Sequence, residues 1–364
     1  MSAKSPALER RIAAEIAAHG PMRFSRFMEL ALYDPAEGYY ASGRASVGRG
    51  GDFFTNVSVA PAYGEILAGQ FLEMSEILGH PENFTLVEQG ANDGTLARDI
   101  LEAFRKKTPQ PPRFTIIEPF AALRKKQEQT LEGFTVDWVA SAGELPAFHG
   151  VHFSNELFDA LPFDLLEAQG GRWHELLVAG NEKFAFEKSP DPGEKTDLPD
   201  GFRTERRTGQ SEQLQSIASK MQSGFLLAVD YGMESAELLA PHRSAGTLAC
   251  FSNHRRDTNP LESPGEKDIT AHVDFTALAR CAVDAGFELN GYTDQHHFII
   301  GAAEKILCEL DGKAADPAAQ KKLRAIRMLM HPETMGVSFK TISLTKNLPR
   351  PAQLTGFRHA RDLL

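Results

Sequence analysis

A chain of 364 residues is longer than one minimal domain requires; at about 150 residues per domain it sets a prior of roughly two. Hydrophobic residues make up 42% and charged residues 24%, ordinary globular usage that excludes global disorder. With 39 Lys and Arg against 49 Asp and Glu the net charge is −10, which argues against a broad phosphate-binding surface and makes nucleic acid a poor partner. The cysteines Cys250, Cys281 and Cys308 form no C-x-x-C pair, which argues against a disulfide framework or a cysteine zinc site and suits a reducing compartment.

In chain order, Leu8, Ile12 and Ile16 recur every fourth residue and predict an amphipathic surface helix. Glu9, Arg10, Arg11 and Glu15 interrupt any signal-like apolar core there. No apolar run approaches the ~20 residues of a spanning helix, so no membrane partner is expected. A second helix is predicted over 21–32. Residues 33–55 carry Gly38, Gly43, Gly48, Gly50 and Gly51 with few periodic apolar positions, a long loop of the kind that serves as a lid or a mobile excursion.

From residue 84 strands and helices alternate. Strands are predicted at 84–88, 114–117, 134–139, 151–154 and 225–229. Between the first two lies a helix with Leu96, Ile100, Leu101 and Phe104 on one face, and 121–131 is a charged helix. The β-α-β-α-β order indicates α/β architecture: a doubly wound, mostly parallel sheet. An insertion at 163–207 follows the fourth strand, with short strands at 173–178 and 183–187, a polar loop at 189–201, and Arg203, Arg206 and Arg207 as a solvated face. Asp274 can cap a helix ending before Gly286. Closing strands are expected at 287–292 and 297–301, then a connector at 311–320 and a last helix over 323–330. His296-His297 lacks a third ligand at metal spacing and reads as strand surface. The domain division expected is an N-terminal helical lid at 1–75 and a catalytic domain at 76–364 that holds the insertion.

At the first strand–helix turn stands Glu88-Gln89-Gly90-Ala91-Asn92-Asp93-Gly94-Thr95. A dinucleotide turn, G-x-G-x-x-G, would need glycine at 92 and 95 and fails there. The S-adenosylmethionine (SAM) turn of class I methyltransferases, E-x-G-x-G-x-G, matches at Glu88, Gly90 and Gly94, with Asn92 in place of the central glycine. Asn enters positive φ more readily than other non-glycine residues, so the turn can still close. Glu88 is placed to accept from the ligand's ammonium or to order the turn. Glu118, ending the second strand, suits both ribose hydroxyls, though the same position serves NAD. A plain structural turn is the competing reading.

Further segments narrow the choice. They are Met28-Glu29-Leu30-Ala31-Leu32-Tyr33-Asp34-Pro35 with Gly38-Tyr39-Tyr40, then Gly51-Asp52-Phe53-Phe54-Thr55 and Gly64-Glu65. After the fourth strand comes Asn155-Glu156-Leu157-Phe158-Asp159-Ala160-Leu161-Pro162. Later come Asp230-Tyr231-Gly232, Gly246-Thr247-Leu248, Pro264-Gly265 and Asp268-Ile269-Thr270-Ala271-His272-Val273-Asp274-Phe275, with a fainter Met335-Gly336 and Phe339-Lys340. In these blocks, ordered over about 8–343, the chain resembles the MidA-type family of SAM-dependent methyltransferases, the mitochondrial complex I assembly factor and its bacterial relatives, which methylates a protein arginine. The departures are Ala91, Asn92 and Asp93 in a turn that usually reads G-P-G-R-G-T-L, Ser58 where the family has a carboxylate, and Ala140 where it has an Asp beside the adenine.

The resemblance implies a class I fold, SAM as cofactor, and a protein or small-molecule methyl acceptor, with a homodimer as a candidate assembly. Methyl transfer from a sulfonium needs no metal and is driven largely by positioning. The cofactor set is Glu88, Gly90, Asn92, Gly94, Thr95 and Glu118, with Asp52 on a loop over the cofactor. Glu156 and Asp159 are the expected acceptor-orienting carboxylates and Asn155 a positioning amide, against a competing reading of helix cap and strand tie. His272 is a candidate base or a loop-holding histidine, and Tyr231 a pocket wall or a packed aromatic. The alternatives are a small-molecule methyltransferase closed by the lid and insertion, or an inactive scaffold; a nicotinamide dehydrogenase ranks last. The family match starts near residue 8, which leaves little room for a transit peptide and sets a cytoplasmic expectation.

Overall fold

In the run Phe84–Gln89 the side chains on both faces are buried, the pattern of an interior parallel strand. The computed structural model describes residues 6–42, 56–59, 61–252, 255–257, 259–313 and 315–364, and it places this strand, β1, in the middle of a sheet. Arg113–Ile117 (β2) and then Asp137–Val139 (β3) lie parallel on one side. Phe148–Asn155 (β4) and then Met221–Met233 (β5) lie parallel on the other. Glu288–Asp294 (β6) forms the far edge, and Phe339–Lys346 (β7), antiparallel to both β5 and β6, fits between them. The order β6-β7-β5-β4-β1-β2-β3 is the doubly wound, mostly parallel sheet expected of a class I methyltransferase. The direction of winding reverses between β1 and β4, where open α/β sheets bind ligands outside the strands' carboxyl ends.

The chain divides into two compact units. The one built on this sheet takes 54–157, 211–232 and 275–364. Its core joins Leu86, Val151, Phe153, Phe225 and Leu227 of the strands to the helices Ala62–Ile77, Thr95–Lys107, Gln295–Ala302 and Pro317–Met330. The rings of Phe71 and Phe153 sit 4.9 Å apart there. The other unit takes 1–53, 158–210 and 233–274. In it the helices Pro6–His19 and Phe24–Tyr33 share one apolar core with Phe163, Leu165, Leu176, Val178, Cys250 and Ile269. Its larger sheet is antiparallel, and Phe163–Gln169 and Arg172–Ala179 are joined through Gly170 and Gly171 at φ 59° and 71°, the left-handed pair that a tight hairpin demands.

These units cut across the expected division at residue 75. Ala62–Ile77 buries Tyr63, Ile66, Leu67, Phe71 and Met74, too many apolar faces for a lid, and belongs to the sheet unit. The insertion and the N-terminal helices, placed in separate domains by the sequence reading, share one core. Where a strand was expected at 297–301 the chain forms the helix Gln295–Ala302. Asp294 decides it: its carboxylate accepts from the His297 N–H at 3.0 Å as an N-cap, overriding the β-branched run that follows. His296 and His297 therefore sit on a helix, with Nδ1 paired to Met330 O and Asp294 Oδ1, and no metal-holding group of His, Cys, Asp and Glu occurs among the described residues. Of the arginines read as a solvated face, Arg203 and Arg206 are indeed half exposed and form surface ion pairs, and Arg207 departs from the reading. Arg203 binds Glu167 at 2.7 Å, Arg206 binds Glu175 at 2.5 Å, and Arg207 turns onto backbone carbonyls.

At two glycines of the sheet, φ of 155° and 150° would aim a Cβ straight at the neighbouring strand. A Cβ on Gly150 of β4 would lie 1.9 Å from Thr85 O of β1, and one on Gly224 of β5 would lie 1.9 Å from Gly150 O. Gly150→Ala must therefore push β1 and β4 apart, and the expected loss is about 3 kcal/mol or more. Urea unfolding checks it: a midpoint within error of wild type would mean the strands have room that the geometry denies.

Candidate active site

β1 ends in Glu88, which is 2% exposed. Burial raises its carboxyl to about 8, the charge of Asp93 adding to the shift, and its Oε2 has no hydrogen-bond partner among the described residues. A buried carboxyl with an open oxygen fits a cationic ligand group. The turn beyond it closes through left-handed residues: Gly90 at φ 81°, Asn92 at 47° and Gly94 at 83°. Asn92 thus adopts the conformation required of the missing glycine. Asp93 Oδ1 accepts from the Thr95 N–H at 3.0 Å, and the Gly94 N–H donates to Ala91 O at 2.8 Å, so the charge-reversed residue of the turn helps to shape it.

Glu118 follows β2 and is also buried. Its Oε1 accepts from the Phe120 N–H at 2.9 Å and its Oε2 from Gln127 Nε2 at 2.8 Å. Burial raises this carboxyl and the two hydrogen bonds oppose the rise. Each oxygen keeps acceptor capacity beyond these bonds, which is what a pair of ribose hydroxyls requires. Gln127 was not singled out by sequence. It and Leu123 are the buried residues of the helix Ala121–Thr130, and a polar residue one turn after the buried leucine was the available signal. Its Nε2 also donates to Asn92 O at 2.9 Å, and its Oε1 accepts from Trp138 Nε1 at 3.0 Å.

At the end of β4, Asn155 Oδ1 accepts from Tyr63 Oη and from Asn56 Nδ2, both at 3.1 Å, while Asn155 Nδ2 donates to Glu156 Oε1 at 2.9 Å. An ionised carboxylate only accepts, so Glu156 fixes which way the Asn155 amide faces, and that in turn fixes Asn56. Asn56 Oδ1 stays buried without a hydrogen-bond partner among the described residues. Burial pushes the Tyr63 phenol far above its ordinary range, the Glu156 charge adding to it. Glu156 itself is left-handed at φ 55°. Its N–H donates to Val229 O at 2.9 Å, and the next N–H, of Leu157, donates to Asp230 Oδ2 at 3.1 Å. A non-glycine residue held there by bonds on both sides is strain of the kind concentrated at functional sites. Tyr231 packs on Phe339, ring centroids 3.9 Å apart, as a packed aromatic would.

The remaining candidates are assigned to the other unit. In it Arg207 gathers the backbones of Asp159 and His272. Arg207 Nε donates to Phe158 O at 2.5 Å, Nη2 to Asp159 O at 3.0 Å and to Ala271 O at 2.5 Å, and Nη1 to His272 O at 3.4 Å. The Asp159 carboxyl is raised to about 6 by burial, against the Arg207 charge. The His272 N–H donates to Thr247 Oγ1 at 3.0 Å. Asp52 lies outside the described residues, as does the Ser58 side chain.

The sheet unit thus brings together an open-oxygen acid, a left-handed turn, a second acid bonded once through each oxygen and a left-handed third acid at adjoining strand ends. A family described as putative S-adenosyl-L-methionine-dependent methyltransferase matches residues 66–293. A crystal structure from Burkholderia thailandensis, bound to S-adenosyl-homocysteine, is 30% identical and superposes with TM-score 0.88, covering 98% of this chain and 95% of that one. The protein arginine methyltransferase NDUFAF7 homolog of Drosophila melanogaster, named as mitochondrial, is 28% identical over 93% of this chain and 84% of its own. Its human counterpart, also named as mitochondrial, is 26% identical over 97% and 86%. Among the described residues no helix is long and apolar enough to cross a membrane. The chain belongs to the S-adenosyl-L-methionine-dependent methyltransferase family, and SAM is its cofactor.

Proposed function

We propose that this methyltransferase acts on an arginine nitrogen of a protein substrate. The observation that carries the reading is Glu156, a carboxylate held in a left-handed conformation by its own backbone and by the Asn155 amide. A guanidinium is protonated, planar and forked, and a fixed carboxylate can hold it by two parallel hydrogen bonds. The same carboxylate can then receive the proton that the methylated nitrogen gives up. SAM supplies an electrophilic methyl on its sulfonium. In this reading Glu88 takes the cofactor's ammonium, Gly90, Asn92, Gly94 and Thr95 shape the turn against it, and Glu118 takes the ribose hydroxyls. Asn155 orients Glu156, and Tyr63 and Asn56 orient Asn155. The names of the Drosophila and human relatives support arginine as acceptor. The cytoplasm is the compartment we propose, since an odd number of cysteines suits a reducing milieu.

The first test follows labelled methyl from SAM into protein. Glu156→Gln is expected to lower kcat/KM by roughly a hundredfold or more. Tyr63→Phe, which removes one donor to Asn155, should lower it by roughly fivefold. Both should leave S-adenosyl-homocysteine binding within a factor of about two, because neither residue is given a role toward the cofactor. Label found only in a low-molecular-weight product would sink the protein substrate.

The second test is pH. Glu88 titrates at about 8 when folded against 4.5 for an unperturbed carboxyl. The folded state then holds its proton more tightly, so stability without cofactor falls as pH rises from about 4.5 through about 8. Glu88→Gln removes that slope. Its melting temperature should exceed that of wild type by several degrees above pH 8 and converge with it near pH 5. Ligand affinity of wild type should rise with pH across the same window as Glu88 ionises to meet the ammonium, and that of Glu88→Gln should stay flat. Parallel stability profiles for the two proteins would show that Glu88 is not held neutral.

A further inference from the structure

Gln127 is completely buried, and its amide is spent on three partners that belong to separate parts of the cofactor site. Glu118 Oε2 and Asn92 O are acceptors, so both Nε2 hydrogens face them. Trp138 Nε1 is a donor alone, so Oε1 must face it. The three contacts admit one orientation of the amide, and each excludes the flipped one. We infer that Gln127 is the positioning residue of the cofactor's ribose site. It holds the Glu118 carboxylate with its free lone pairs turned to a vicinal diol, and it ties that carboxylate to the glycine-poor turn and to β3. The inference rests on the reading of Glu118 as the ribose acid.

The physical case is one of degrees of freedom. A glutamate side chain at the end of a strand keeps rotamer freedom unless its oxygens are fixed. The Phe120 N–H fixes Oε1 but leaves rotation about that bond, and the second bond, from Gln127, removes it. Gln127 in turn cannot swing, because Trp138 holds its oxygen and Arg124 lies over the Trp138 ring, 5.5 Å from its centroid. The bond to Asn92 O restrains the peptide after the one turn residue that is left-handed without being glycine. Gln127 never needs to touch the cofactor to do this.

Isothermal titration with S-adenosyl-homocysteine and with its analogue lacking the ribose 2′-hydroxyl tests the inference. Wild type should prefer the parent ligand by roughly tenfold or more, as expected for a hydroxyl bonded to a charged acceptor. Gln127→Met keeps the volume and loses the bonds. It should weaken the parent ligand by about tenfold and the analogue by less than about threefold, so that the preference collapses. Trp138→Phe, which removes only the N–H that steers Gln127, should shrink the preference in the same direction by a smaller factor. Equal weakening of both ligands by Gln127→Met would reduce Gln127 to a packing role and overturn the inference, as would unchanged parent affinity. Should Gln127→Met not fold, an unchanged preference in Trp138→Phe overturns it instead. Glu118→Gln separates the two levels: if wild type and Glu118→Gln both bind the ligands alike, the ribose reading of Glu118 fails and this inference with it. If Glu118→Gln abolishes a preference that Gln127→Met retains, Gln127 alone is wrong.

Discussion

Carboxyl groups buried at the ends of parallel strands are the costly feature of this fold, and the rest of the site answers that cost. Taking a carboxylate out of water is unfavourable by several kcal/mol unless it is paired, hydrogen-bonded or neutralised. Each strand end solves the problem differently. For Glu88, burial raises the carboxyl to about 8, which favours the neutral form. Glu118 takes a backbone N–H and a side-chain amide. Glu156, only half-buried, accepts from the Asn155 amide, and buried Asp230 accepts from the backbone of Leu157 and Tyr231. The differences suit the acids to different partners. A neutral acid suits an ammonium, and one bonded once through each oxygen suits a diol. Asp230, bonded to the backbone through both oxygens, is suited to structure.

The departures at the turn make sense in the same terms. A glycine at 92 would close the turn without help; Asn92 closes it at φ 47° with its carbonyl held by Gln127. Asp93 stands where the related turns carry an arginine, and its charge raises the Glu88 carboxyl further. An arginine there would favour ionised Glu88; an aspartate favours the protonated form. Residue 93 therefore bears on the acid that the turn presents through its charge.

What was legible in the sequence is what backbone conformation and apolar runs control. The turn could be read because positive φ restricts residue choice to glycine and asparagine, and β1 and β5 because strands buried on both faces read as unbroken apolar runs. β7 was missed because its buried positions include Lys340, Thr341, Ser343 and Thr345, which carry no hydrophobic signal. The helix at Gln295–Ala302 was misread because one capping aspartate outweighed a strand-like run. Gln127 and Arg207 were undervalued for a common reason. Their importance lies in partners distant in sequence, 35 residues away in the bond to Asn92 and 64 in the bond to Ala271, and periodicity does not carry such pairings.

Leu157 joins the two halves of the chemistry. It follows Glu156 directly, its N–H is held by Asp230, and its Cδ1 would lie 3.2 Å from a Cβ placed on Gly90. Gly90 is thus constrained twice, by φ 81° and by the side chain beside it. Any side chain at 90 would press on the segment that carries Glu156 as well as distort the turn after Glu88. The turn after Glu88 and the segment that carries Glu156 pack side by side within one unit, across β1 and β4 where the winding of the sheet reverses. Positioning is most of what a methyl transfer needs from a protein. Here it is set by direct packing between the loops that follow two neighbouring strands, so a shift in either loop is felt by the other without any intervening element.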